Sequence, residues 1–188
     1  MSLSIRVFDT VLDGKNINDT VTRNSSDFWK VFCNASGWSF NYERVHSLAD
    51  LEFFMSRVIK QDIIIFSGHG NEDGWHMTNR EVFIPSTFNH KKIHEKNFGK
   101  IVIFSSCLIG KSEQLCKEYK SLFGARKLFA YRHVMHDRYC FLNESILLSM
   151  LEQVGSFSES DFIDFKEKTL FMKNLNKKHV RLHPMVMF

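Results

Sequence analysis

The sequence has few cysteines, and their spacing supports no shared structural role. The four are Cys33, Cys107, Cys116 and Cys140, and no two of them form a C-x-x-C pair. Such scatter argues against a zinc site and against a disulfide framework, so each is expected to be a free thiol. The chain also lacks the run of about 20 apolar residues that a membrane-spanning helix needs. Its first residues lack the order of a signal peptide, basic and then apolar. These absences predict a cytoplasmic protein that binds neither a metal nor a membrane.

The remaining composition is typical of one folded domain. The chain has 188 residues, of which 44% are hydrophobic and 24% charged, and it contains no repeat or linker, so we predict a single domain over residues 1–188. The net charge of +4 comes largely from basic residues within Lys166–Arg181. They are interleaved with apolar residues, as on a solvated helix face, and no base-reading pattern accompanies them. No nucleic-acid partner is therefore predicted.

Strand-like and helix-like segments alternate along the chain. Short apolar or alternating runs predict five strands, at Ser4–Asp9, Trp38–Val45, Asp62–Phe66, Lys100–Phe104 and Lys127–Tyr131. Helices are predicted after a cap at Ser25 or Ser26, over Leu48–Ile59, near Ser86–Phe98, and over Ser112–Phe123 and Tyr139–Leu151. A small hairpin is predicted from Trp75–Met77 and Glu81–Ile84, with one more helix and an edge strand, His179–Phe188, in the tail after residue 151. This alternation predicts an α/β, doubly wound, mostly parallel sheet, with ligands at the carboxyl ends of its strands.

A histidine and a cysteine follow the two most apolar strands. Asp62–Phe66 runs into Ser-Gly-His69-Gly, and Lys100–Phe104 runs into Ser-Ser-Cys107. Side chains that leave adjacent strands, about 4.8 Å apart, can meet at one reacting group. The pairing matters chemically because a free cysteine with a pKa near 8.5 is mostly protonated at neutral pH. An imidazole can accept the thiol proton and later protonate a leaving amine.

Two glycines flank His69 and let the backbone approach a substrate closely. The main-chain N–H groups of Gly70 and Cys107 are the candidates for an oxyanion hole. Each residue alone also has a structural explanation, since a buried cysteine is a small hydrophobe and Gly-His-Gly can be a turn. Their joint placement on two strand ends favours catalysis.

This arrangement resembles the caspase, gingipain and separase group, and within it the bacterial CHAT (caspase-like) domains. The resemblance is carried by Ser67–Gly70, by Cys107 placed 38 residues beyond His69, and by Phe123–Ala130 after the intervening helix. It covers about Ile5 to Leu151. It implies a caspase-like sheet of about six strands flanked by helices, and peptide hydrolysis through an acyl-enzyme without metal or cofactor. Protein or peptide substrates, a regulatory partner and a triggered role in stress or antiviral defence are implied as well. The caspase signature Gln-Ala-Cys is absent, so aspartate specificity is not implied.

Acidic residues near these strand ends suggest a substrate preference. The resemblance places the first strand beside the one that bears His69, so that Asp9 could form a pocket for a basic P1 residue or could orient His69. Asp137, after the Lys127–Tyr131 strand, is a second candidate for substrate binding. His133 and His136 flank the same region and are candidate substrate contacts.

Other interpretations compete with the peptidase. Gly110-Lys111-Ser112 lies between a strand and a helix, like a nucleotide-binding P-loop, but the first glycine of that motif is missing where Ser105 stands. A catalytically inactive caspase-like scaffold would retain the same pattern. The pairs His90/His94 and His179/His183 have i,i+4 spacing, but no carboxylate or cysteine completes a metal site beside them.

Overall fold

A sheet of six strands forms the centre of the structure, a computed structural model that describes residues 2–11, 25–169 and 182–188. The strands of this part of the chain are β1 (Ser4–Asp9), β2 (Ser39–Arg44), β3 (Ile63–Ser67), β4 (Trp75–His76), β5 (Val82–Phe83), β6 (Ile101–Ser105), β7 (Lys127–Tyr131) and β8 (Met185–Met187). Strands β4 and β5 form a separate hairpin, and the other six lie in the order β2-β1-β3-β6-β7-β8. All sheet neighbours run parallel except β7 and β8. The predicted α/β fold with a mostly parallel sheet of about six strands is confirmed.

Helices cover both faces of this sheet, which explains why its central strands are apolar throughout. The helices of the described residues are α1 (Ser25–Ser36), α2 (Leu48–Met55), α3 (Glu113–Leu122), α4 (Asp137–Val154) and α5 (Glu159–Lys168). In β3, Ile64 and Phe66 pack on the side of α2, α3 and the hairpin, whereas Ile63 and Ile65 pack on the side of α1, α4 and α5. Every residue of β3 and β6 is buried. Parallel sheets require such burial on both faces.

The register at the centre of the sheet brings three strand ends to one level. β1 lies beside β3, as the resemblance predicted, and β3 lies beside β6. Asp9, Ser67 and Ser105, the last residues of these strands, are aligned with one another. The chain therefore leaves three adjacent strands side by side at the carboxyl edge.

The helix α2 ends earlier than its apolar spacing predicts. A buried asparagine side chain, instead of a further helical turn, forms hydrogen bonds with the backbone that follows the helix. The prediction extended to Ile59, but α2 stops at Met55. The side-chain amide of Asn97 donates to the carbonyls of Met55 and Arg57, each at 2.8 Å. Its oxygen accepts the N–H of Ile59 at 2.8 Å. Backbone groups that a longer helix would pair internally are thus satisfied by a distant side chain.

The prediction of one short helix near Ser86–Phe98 is wrong. The segment forms three 3₁₀ turns, at Pro85–Thr87, His90–Lys92 and Glu95–Asn97. Asn89 and His94 each accept a hydrogen bond from a backbone N–H two residues further on. Local bonds of this kind compete with helix formation, which accounts for the interruption.

The tail supplies the predicted helix and a shorter edge strand than expected. The predicted strand His179–Phe188 begins outside the described residues, and β8 occupies Met185–Met187, antiparallel to β7. Pro184 lies just before the strand, where its missing N–H costs no ladder bond. Residues 170–181 of the basic stretch also lie outside the described residues.

Candidate active site

His69 and Cys107 lie at the same level of the carboxyl edge. Each follows its strand by two residues, and the two strands end on the paired residues Ser67 and Ser105. The Gly68 N–H donates to the Ser105 carbonyl at 3.4 Å, which extends the pairing by one step. Because neighbouring strands lie about 4.8 Å apart, the chain presents His69 and Cys107 side by side. Both residues are partly buried.

Gly70 allows the turn that carries His69 to touch the turn that carries Cys107. A Cβ atom added to Gly70 would lie 2.9 Å from the Cβ of Ser106 and 3.0 Å from the carbonyl oxygen of Cys107. The first distance is shorter than real Cβ contacts. The sequence predicted a close approach of this glycine to a substrate; the structure shows a close approach to the neighbouring turn.

The hairpin strand β4 holds the turn of His69 from its other side. The His76 N–H donates to the His69 carbonyl at 3.0 Å. The Asn71 N–H donates to the Gly74 carbonyl at 3.1 Å. These two hydrogen bonds lie on either side of Gly70. The N–H of Gly70 itself takes no part in the pairing with the hairpin. That geometry is compatible with the predicted role of this N–H as an oxyanion donor.

The imidazole of His76 packs against that of His69. The ring centroids are 5.0 Å apart, and the rings are tilted by 73°. Burial and then the neighbouring His69 lower the pKa of His76, while Asp73 opposes the shift. Its buried Nε2 atom has no hydrogen-bond partner among the described residues. The ring of His76 is therefore expected to be neutral at pH 7.

We expect His76 to make the folded chain less stable in acid. Its pKa is near 6.5 when unfolded and lower when folded, so the unfolded chain binds the proton first as the pH falls. Its contribution is complete above about pH 6.5 and is lost as the pH falls towards the folded pKa. When the pH is lowered from about 7.5 to about 5, the Tm of His76→Gln should therefore decrease less than the Tm of the wild type. The exposed His90→Gln is the matched control and should follow the wild type; equal slopes for all three proteins would contradict the assignment.

Cys107 differs from the other three cysteines in exposure. It is partly exposed, whereas Cys33, Cys116 and Cys140 are buried. Burial raises the pKa of Cys33 to about 11. Burial, with a smaller contribution from Glu113, raises the pKa of Cys116 to about 12. These thiols are protonated at neutral pH and poorly reactive.

The sulfur of Cys107 contacts the segment that joins β7 to α4. The Met135 N–H donates to its Sγ at 3.3 Å, and the Met135 carbonyl oxygen lies 3.8 Å from the same atom. Leu108, the next residue, has a φ of +64°, which is unusual for a residue with a side chain. The Ile109 N–H donates to the Cys107 carbonyl at 2.8 Å and closes this tight turn. Strained backbone of this kind is concentrated at functional sites.

The P-loop alternative finds no support in the contacts of its key side chains. The Lys111 ammonium binds the Glu72 carboxylate at 2.5 Å, which links the two turns of the site. The Ser112 hydroxyl accepts the Leu115 N–H at 3.2 Å and caps α3. Both groups that would face a phosphate are thus engaged within the chain.

Asp9 lies at the end of β1 with its carboxylate fully buried. One oxygen accepts the Tyr42 hydroxyl at 2.6 Å and lies 3.4 Å from the guanidinium of Arg44. The other accepts the Ser25 hydroxyl at 3.2 Å. Burial, followed by the bond to Asp9, raises the pKa of Tyr42. Asp9 is next to the strand of His69, and a substrate cation would have to replace one of these partners to reach it.

The segment between β7 and α4 places the remaining predicted residues near Cys107. The register of β6 and β7 ends at the pair Phe104 and Ala130, and continuing it by three residues would set His133 level with Cys107, on the side opposite His69. His136 and Asp137 begin α4, and both are exposed. Of the two acidic candidates, Asp137 is therefore the one open to solvent.

The structure assigns parts of this edge that the sequence did not reveal, namely Glu72, His76 and Met135. His76 could have been found from its place in the predicted hairpin, which follows His69 directly. Met135 contacts the sulfur through its main chain, for which its side-chain type gives no signal.

The described residues offer no grouping of three or more His, Cys, Asp or Glu side chains suited to a metal ion. Of the histidine pairs, His94 accepts the Lys96 N–H, and His183 lies 2.9 Å from the Thr169 hydroxyl. His179 is outside the described residues. In the part of the chain that the structure describes, no helix has the length and apolar character to span a membrane.

The order of the strands and the helices that cover them define a caspase-like α/β fold. The structure is similar to a complex of the Porphyromonas gingivalis RgpB pro- and mature domains, with a TM-score of 0.60 and 9% identity over 97% of this chain and 46% of that one. It is also similar to the Arg-specific cysteine proteinase gingipain R, with a TM-score of 0.59 and 10% identity over 97% of this chain and 45% of that one. The chain thus spans less than half the length of either protein. No family model and no curated protein matches the sequence.

Proposed function

We propose that this chain is a cysteine endopeptidase in which Cys107 is the nucleophile and His69 the general base. The observation that carries the proposal is the shared level of the two residues beyond the paired strands β3 and β6. Cys107 is also the cysteine with an exposed surface, and the fold is that of caspase-like proteinases.

The proposed reaction begins when His69 accepts the proton of the Cys107 thiol. The sulfur then bonds to the scissile carbonyl carbon, and the N–H groups of Gly70 and Cys107 bind the resulting oxyanion. When the carbonyl reforms, the C–N bond breaks, and His69 gives its proton to the leaving amine. A water molecule deprotonated by His69 attacks the thioester, which releases the carboxylic acid and restores the thiolate. Each step uses residues of this chain and water.

For the substrate we propose a basic P1 residue. Asp137 supports this proposal, because its exposed carboxylate lies two residues from Met135, which contacts Cys107. Asp9 supports it through its place beside the strand of His69, although its carboxylate is already bonded to Tyr42. The similar gingipain R structure is described as Arg-specific.

For the biological role, the resemblance to CHAT domains supports a cytoplasmic effector. We propose that a regulatory partner triggers its activity in bacterial stress or antiviral defence. The inactive scaffold is the competing function, and it predicts partner binding without cleavage.

Selective alkylation combined with a P1 peptide panel tests the function. At about pH 7 iodoacetamide should label Cys107 at least about tenfold faster than Cys33, Cys116 or Cys140, because buried thiols stay protonated. Wild type should cleave fluorogenic peptides after Arg or Lys, and Cys107→Ala should cleave none. Asp137→Asn should reduce cleavage after Arg a few-fold, as expected for the loss of one exposed ion pair.

Two results would count against this proposal. Equal rates of labelling for all four cysteines under native conditions would contradict the assignment of Cys107 as the nucleophile. Selective labelling without cleavage of any panel peptide, together with partner binding that survives Cys107→Ala, would favour the scaffold.

A further inference from the structure

A main-chain group other than the oxyanion donors points at the nucleophile. The Met135 N–H lies 3.3 Å from the Cys107 sulfur, and the carbonyl oxygen of the same residue lies 3.8 Å away. The donor is the nearer of the two. An N–H group stabilises a negative sulfur, whereas a carbonyl oxygen destabilises it, and the closer group dominates. Of these two contacts, the nearer one therefore favours the thiolate.

Cys116 provides an internal comparison. Its sulfur donates to the Ile109 carbonyl at 3.4 Å, a contact that requires the protonated thiol. Burial also raises its pKa to about 12. The Cys107 thiol likewise donates to a carbonyl, that of Met135 at 3.8 Å, but its sulfur also accepts the nearer Met135 N–H at 3.3 Å.

The segment that carries Met135 is fixed at both ends. At its start, the Arg132 N–H donates to the Pro184 carbonyl at 2.8 Å, beside the pairing of β7 with β8. At its end, the His136 carbonyl accepts the N–H groups of Tyr139 and Cys140 in the first turn of α4. The N–H group is therefore held in place before any substrate arrives, as a preorganised donor must be.

The amino end of α4 lies next to this donor. Met135 immediately precedes His136, the N-cap of this 18-residue helix. The positive end of a helix dipole favours negative charge in its first turn, so it adds to the effect of the N–H group.

We infer that the Met135 N–H is a third group of the catalytic site, which holds the Cys107 sulfur as a thiolate from the side opposite His69. This inference rests on the proposed function. The N–H raises the thiolate fraction of the free enzyme. It also stabilises the sulfur as it leaves the thioester, when negative charge returns to it. Its action requires the main chain and is independent of the methionine side chain.

The pH profile of Cys107 alkylation tests this inference with a matched pair of variants. Met135→Pro deletes the N–H, and Met135→Ala keeps it while removing the side chain. A charge-assisted bond to one sulfur should shift the midpoint up by about one pH unit in Met135→Pro, with about tenfold slower alkylation at pH values below both midpoints. The rates of wild type and Met135→Pro should converge above the midpoint, where both are thiolates. Met135→Ala should follow the wild type.

A profile of Met135→Pro that superimposes on that of Met135→Ala would overturn the inference. If Met135→Pro does not fold, the inference can be tested instead by NMR of the wild-type chain labelled with ¹⁵N-methionine. The Met135 amide signal, assigned with Met135→Leu, should move with the titration of Cys107, and this movement should vanish in Cys107→Ala. A Met135 amide signal that does not move with the titration of Cys107 would also overturn the inference. The two proposals can fail separately. If Met135→Pro has no effect on alkylation while His69→Ala slows it, the role of Met135 is rejected and the proposed function stands.

Discussion

Replacing His69 with alanine is expected to lower kcat/KM for peptide cleavage by about 10³-fold, the usual contribution of a positioned general acid and base. Cys107 follows the neighbouring strand β6 at the same level at which His69 follows β3. Without the ring, the thiol loses its proton acceptor, and the leaving amine loses its donor. The rate should be measured on the best peptide of the P1 panel, with active-site titration to correct for inactive protein.

His90→Ala is the matched control for this variant, since it removes an exposed imidazole that lies 21 residues after His69 and 17 before Cys107. It should leave kcat/KM unchanged. Added imidazole should restore part of the activity of His69→Ala and none of that of Cys107→Ala. Retention of more than about a tenth of wild-type kcat/KM by His69→Ala would show that another group performs the proton transfers.

Gly70→Ala is expected to reduce kcat/KM by about 10²-fold, because a displacement of about 1 Å at a reacting group has that effect. The new methyl group would collide with the Cβ of Ser106 at 2.9 Å and with the Cys107 carbonyl at 3.0 Å. The two turns must then separate, which moves Cys107 away from His69. Overpacking of this size also costs about 1–3 kcal/mol of stability.

Gly37→Ala separates the loss of activity from the loss of stability. Gly37 ends α1 with a φ of +69°, and a Cβ there would meet no atom within 4 Å. The substitution should therefore cost about 1–2 kcal/mol through backbone strain and leave kcat/KM unchanged. If both glycine variants kept full activity at a temperature where they are folded, close contact of the two turns would not matter for catalysis.

The central part of the fold was predictable because its signal is local and strong. Asp62–Phe66 and Lys100–Phe104 are continuous apolar runs, and each matches a buried strand to within one residue. A rule about parallel sheets then placed His69 and Cys107 at one edge without any knowledge of their distance. What the structure added is that β3 and β6 are neighbours in the sheet, which places the two residues side by side.

The errors arise where a distant or a main-chain group decides the local structure. The end of α2 depends on Asn97, which lies 42 residues from Met55 and gives no sign in the helical spacing. A short helix was predicted near Ser86–Phe98, but the side chains of Asn89 and His94 accept hydrogen bonds from backbone N–H groups of this segment. The contact of Met135 with Cys107 depends on the course of a loop, which the residue types do not encode.

The level alignment of β3 and β6 makes the proposed dyad of His69 and Cys107 a property of the assembled sheet. His69 and Cys107 are 38 residues apart in the chain, so no local turn or hairpin can bring them together. Docking such distant strands is slow compared with helix formation, because loop closure precedes the gain from contacts. During refolding, fast iodoacetamide labelling of Cys107 should therefore appear later than the helical circular dichroism signal. The reactivity of one thiol would then report the final pairing of the sheet. Under the proposed peptidase function, a chain whose sheet is incomplete would not cleave other proteins.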